Sequence, residues 1–105
     1  MYKFYSRNDI GAYEKVNDDK FMINGKIVED GDFSGEVQNY VSAVLCDGVG
    51  GEAQGYRAAL KTLEVFKEIQ SENVDKEKIK DTARKANSEV LKLQREENRE
   101  KGLKT

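Results

Sequence analysis

The sequence contains no histidine and only one cysteine, Cys46. Without histidine a Cys-His nucleophile pair is excluded. With one thiol there is no internal disulfide, so the expected setting is the reducing cytoplasm. No apolar run approaches the length of a membrane span, and the first residues lack the apolar core of a signal peptide, so no membrane partner is expected. Charge of one sign is also scarce. Although 36% of residues are charged, the net charge is only −2, which gives no field for capturing nucleic acid or anionic lipid. The 105 residues suffice for one domain over 1–105, and five tyrosines and four phenylalanines add to a modest core.

What the chain does have is a β-branched, apolar run, Val41-Ser42-Ala43-Val44-Leu45-Cys46, that ends in Asp47-Gly48-Val49-Gly50-Gly51 and leads into a helical pattern near Ala53. Glycines let the backbone turn sharply there. This layout places a carboxylate on the rim of a sheet, where it and the next carbonyl can face one spot. Such an oxygen pair suits a hard divalent cation, Mg²⁺ or Mn²⁺, with a phosphate-bearing ligand against it. Asp-Gly is equally a common way to leave a strand, and the plain turn stands beside the ligand site as a reading.

Around this stretch, alternation of Tyr2 and Phe4 predicts a first strand over 1–7, and Lys20-Phe21-Met22-Ile23 a second. Asn24-Gly25 then predicts a type I′ hairpin into Lys26-Ile27-Val28. Residues 29–35, with Asp30-Gly31 and Ser34-Gly35, read as an exposed loop. After the central strand, Tyr56, Ala59, Leu60, Leu63, Phe66 and Ile69 form a broad apolar stripe expected to lie on the sheet. Asp75 is a candidate N-cap, with Val74 and Ile79 placed as a hydrophobic staple. Ile79, Ala83, Ala86, Val90 and Leu93 repeat at heptad-like spacing, predicting a second helix antiparallel to the first. Residues 94–101 read as a solvated helix end, with Gly102 as the stop.

Read together, Asn17-Asp18-Asp19 and Asp47-Gly48-Val49-Gly50-Gly51-Glu52, with Gly55 and Ala58 following, resemble the N-terminal part of the metal-dependent protein phosphatases of type 2C. That family carries an Asn-acid-Asp element on an early strand and Asp-Gly-Met/Val-Gly-Gly-His at the end of a later one. The resemblance implies an α+β fold, part of an α-β-β-α sandwich. Here it would be an antiparallel β-sheet, with strands over about 1–47, covered on one face by two antiparallel helices over about 53–70 and 75–101.

The resemblance further implies hydrolysis of phosphoserine and phosphothreonine monoesters in a protein substrate by water activated between two Mg²⁺ or Mn²⁺ ions. By position, Asp47 would bridge the metals, the Gly48 carbonyl would join their shell, Asp18 would be a ligand, and Asp19 would hold metal-bound water. Two positions depart from the family. Glu14 and Lys15 stand near the place of a phosphate-gripping arginine, and of the two only Lys15 can supply positive charge, without the bidentate fork. Glu52 stands where a histidine protonates the leaving oxygen, a task a carboxyl performs only with a raised pKa.

The resemblance covers less than half of a family domain, and the strands that bring the remaining ligand aspartates would follow Thr105. It therefore implies a fragment or a short relative that by itself binds metal weakly and has little or no activity. It also implies a sheet face left uncovered, through which the chain self-associates. A non-catalytic interaction module is the alternative. A phosphate-cradling nucleotide loop is poorly supported, because no Gly-Lys-Ser/Thr ending follows the glycines.

Overall fold

In the computed structural model, residues 1–9, 11, 19–48, 53–71 and 73–100 are described. Strands β1 (Tyr2–Asn8), β2 (Lys20–Ile23), β3 (Lys26–Val28), β4 (Gly31–Val37) and β5 (Ala43–Cys46) precede helix α1 (Ala53–Phe66). A 3-10 turn (Lys67–Ile69) and helix α2 (Lys76–Glu100) follow. The class is α+β, but the strands form two antiparallel sheets, β1–β4 and β3–β2–β5, where the sequence suggested one. No described helix is long and apolar enough to cross a membrane.

The hairpin between β2 and β3 follows from Asn24 and Gly25, which adopt φ values of +47° and +88° and so make the I′ turn whose twist matches the strands. Asn24 does more than turn the chain. Its amide donates to the Tyr40 carbonyl at 3.0 Å, its Oδ1 accepts from the Ser42 N–H at 2.7 Å, and its own N–H reaches the Ser42 carbonyl at 2.9 Å. One side chain thus fixes where β5 begins.

Residues 31–37 are not a loop. They form β4, paired with β1 from Tyr2↔Val37 to Asn8↔Gly31. Asp-Gly and Ser-Gly favour turns, yet Phe33, Gly35 and Val37 keep a period of two, and the Phe33 ring meets Phe4 edge-on at 5.0 Å. Phe4 lies opposite Gly35, where an added Cβ would come within 3.3 Å of the ring, so the glycine makes room for the aromatic.

Directly opposed residues of an antiparallel pair share a face. Lys20, Met22, Val44 and Cys46 therefore lie on one side of the larger sheet, and Phe21, Ile23, Ala43 and Leu45 on the other. Helix α1 packs on the first side, with Met22, Ala59 and Leu63 all buried. The antiparallel α2 packs mainly on α1, as the pairs Arg57–Glu97 and Glu68–Lys85 show. The Asp75 carboxylate caps α2 by accepting from the Lys78 N–H at 2.8 Å.

The buried line of α2 runs through Thr82, Ala86 and Glu97, with Val90 and Leu93 half-buried, whereas Ile79 and Ala83 are exposed. Thr82 replaces Ala83 in the contact because its hydroxyl is satisfied within the helix, donating to the Lys78 carbonyl at 2.7 Å. On the other side of the larger sheet, β4 comes against β3, where Val28 is buried and the Lys26 ammonium lies 5.1 Å from the Phe33 ring centre. The β5 end of that side stays open, and Leu45 is 77% exposed. The result is a slab of 51 × 37 × 15 Å whose radius of gyration, 15.3 Å, exceeds the roughly 13 Å of a compact chain this long.

The two roles of Asn24 are separable. Asn24→Gly keeps the turn and loses the side-chain bonds, an expected cost of about 1 kcal/mol. Asn24→Ala loses both, about 2 kcal/mol, since alanine disfavours positive φ. Urea unfolding of the two variants should rank them in that order, and equal losses would refute the latch on β5.

Candidate metal site at the rim of the larger sheet

Strand β2 enters the sheet at Lys20 and β5 leaves it at Cys46, and these two residues are paired. One step further out, the same register sets Asp19 beside Asp47 on one rim and on one face. Asp47 and the Gly48 N–H are the neighbours within reach of the Asp19 carboxyl. The carboxyl of Asp19 is held above its usual range, first by the hydration it gives up in this corner and then by the hydrogen bond and negative charge of Asp47. The Gly48 N–H and the charge of Lys20 pull the other way without prevailing.

Several groups fix Asp19 in place. The Asn8 carboxamide, buried at the end of β1, reaches the carbonyls of Asp19 at 2.8 Å, Val28 at 3.2 Å and Glu29 at 3.1 Å. Lys20 is only 1% exposed, and its Nζ donates to the Asp19 carbonyl at 3.3 Å while standing 4.6 Å from the centre of the Tyr56 ring. The Tyr56 hydroxyl in turn donates to Glu29 Oε1, and that bond raises its pKa. Beside the rim, Cys46, Asp47 and Gly48 border a shallow groove of about 350 Å³ closed by Ala58, Ala59 and Thr62 of α1 and by Ala86, Asn87 and Val90 of α2. Burial pushes the Cys46 thiol up, which disfavours the thiolate a nucleophile would need.

Of the residues singled out in the sequence, the structure brings together Asp19, Asp47 and Gly48. Lys15, Asp18 and Glu52 lie outside the described residues, as do Glu14 and Asn17. Among the described residues no three His, Cys, Asp or Glu side chains gather as a metal cluster. Sequence reasoning missed Asn8, Lys20, Glu29 and Tyr56 as supports of the corner. Parity was the available signal for two of them: Lys20 falls in step with Met22, and Asn8 with Phe4 and Ser6, on the inward faces of their strands.

Comparison with protein-family models, with curated proteins and with solved structures returns no match.

The raised pKa has a definite linkage. Asp19 binds its proton more tightly in the folded chain than in the unfolded one. The resulting stabilisation is complete below the ordinary carboxylate pKa and is lost as pH rises through the raised value. Asp47→Asn removes the charge that opposes ionisation of Asp19. It is therefore expected to raise the thermal midpoint by a few degrees at pH 7 and by less at pH 4, read by circular dichroism. An equal change at both pH values would contradict the influence of Asp47 on Asp19.

Proposed function

We propose that the Asp19–Asp47 corner is a site for Mg²⁺ or Mn²⁺ and that the chain serves metal-dependent hydrolysis of phosphoserine and phosphothreonine monoesters in proteins, the chemistry of the type 2C phosphatases it resembles. The observation that carries this reading is the meeting of the two carboxyl groups on one rim. Like-charged groups ordinarily keep apart, and the nearness of Asp47 holds the Asp19 carboxyl above its usual range. A hard cation between the same oxygens would relieve that repulsion, with the Gly48 carbonyl as a further donor of the same kind.

When bound, a divalent cation would lower the pKa of water and neutralise phosphate charge. Asp47 would hold it and Asp19 would orient water at its edge, with Asn8 and Lys20 fixing the backbone that presents Asp19. Asp18 as a further ligand, Lys15 as the positive charge facing the phosphate and Glu52 as proton donor to the leaving oxygen rest on the resemblance alone. The free thiol of Cys46 accords with a cytoplasmic location.

A second reading, a non-catalytic module that keeps the metal corner for binding a protein, is favoured by the same count of donors. Two described carboxylates and a carbonyl are few oxygens for a pair of ions. Thermal shift with Mn²⁺ and hydrolysis of an aryl phosphate separate the readings. An upward shift that Asp47→Asn abolishes, together with Mn²⁺-dependent turnover, is the outcome expected of the phosphatase. A shift without turnover favours the module, and a shift that survives Asp47→Asn would remove the site from this corner.

A further inference from the structure

Among the described residues β5 is the outer strand of its sheet. Its ladder with β2 runs through Lys20↔Cys46 and Met22↔Val44 and continues in the bond from the Asn24 N–H to the Ser42 carbonyl. Backbone groups alternate in direction along a strand, so Ser42, Val44 and Cys46 turn theirs toward β2. Ala43 and Leu45 turn theirs outward.

Devices that ordinarily blunt an open edge are missing here. Residues 37–46 carry no charge, and the chain contains no proline. The flanks are apolar as well. Val41, just before the strand, is 47% exposed, and Leu45 on it 77%. On the helix side, Val44 borders a groove of about 560 Å³ walled by Phe66, Ile69, Val74 and Ile79.

We propose that a second copy of this chain pairs with β5, edge to edge and antiparallel, about a two-fold axis at Val44, joining the two three-stranded sheets into one. Two conditions narrow the register. A two-fold axis normal to a sheet sets residues of like parity opposite one another, and only Ala43 and Leu45 have outward groups to exchange. Ala43 opposite the partner's Leu45, and the reverse, meets both conditions and makes four backbone bonds. It also sets each exposed leucine against a small alanine, and Val44 against the partner's Val44 at the mouth of the groove.

Charge permits the same arrangement. The two Asp47 side chains fall at opposite ends of the paired strands, three residues either side of the axis, about 20 Å apart. That exceeds the screening length of about 8 Å at physiological salt, so the rims do not repel. The alternative register, Leu45 opposite Leu45, crowds two large side chains and carries each Asp47 toward the partner's Ala43.

Cross-linking of the 105-residue chain tests the register. Val44 lies in a non-hydrogen-bonded pair, where Cα atoms stand about 4.5 Å apart, within disulfide reach. Val44→Cys in a Cys46→Ser background is expected to give a covalent dimer on mild oxidation. Ser42→Cys is expected to join the partner's Cys46, because within one chain positions 42 and 46 are about 13 Å apart along a strand.

In light scattering the unmodified chain is expected to be a dimer, and Leu45→Lys a monomer with unchanged circular dichroism. The amides of Ala43 and Leu45 are expected to gain protection from hydrogen exchange as concentration rises. A monomer at high concentration would overturn the proposal. So would protection independent of concentration, which would mean the chain's own residues cover the edge. Cross-linking no faster than that of Tyr5→Cys, a remote and exposed control, would overturn it too.

Discussion

The register between β2 and β5 is the constraint on which the rest of the molecule depends. Pairing Lys20 with Cys46 turns Met22 and Val44 toward α1, puts Asp19 beside Asp47 at the rim and leaves the backbone groups of Ala43 and Leu45 facing outward. A slip of one residue would reverse every one of these assignments at once, since side chains alternate from face to face. The register is held at both ends by side chains that reach backbone. Asn24 clasps Tyr40 and Ser42 at the hairpin end, and Asn8 and Lys20 clasp the Asp19 carbonyl at the acidic end. Two asparagines and a lysine thus do here what a longer ladder would do in a larger sheet.

Lys20 shows how the acidic corner tolerates itself. Placing an ammonium beneath a helix costs hydration. That cost is offset by the Asp19 carbonyl, by the face of the Tyr56 ring and by the negative charge above it. Tyr56 is steadied in its turn by Glu29. Positive charge therefore lies under the rim and negative charge on it, so the corner is polarised outward, toward whatever approaches the end of β5.

How much of this could be read from the residues depended on range. Asn24-Gly25 declared the hairpin because the turn is decided by two φ angles, and Asp75 declared the start of α2 because capping is a contact three residues long. The meeting of Asp19 and Asp47 was legible only through a resemblance; no local pattern links residues so far apart in the chain. β4 was hidden because its turn-forming Asp-Gly and Ser-Gly are overridden by a partner strand some thirty residues earlier, and the size match of Phe4 to Gly35 exists only once the two are aligned. Likewise the inward line of α2 moved from Ala83 to Thr82, a hydroxyl that is cheap to bury when its own helix accepts its proton.

The thinness of the slab bears on how the protein responds to temperature. A chain of 11.9 kDa that folds compactly leaves roughly 6,000 Å² accessible to water; this one leaves 7550 Å². Less area changes its hydration on unfolding, which lowers the heat-capacity increment expected for the length and flattens the expected curve of free energy against temperature. Such a chain is expected to melt over a wider span of temperature than a compact one of its length.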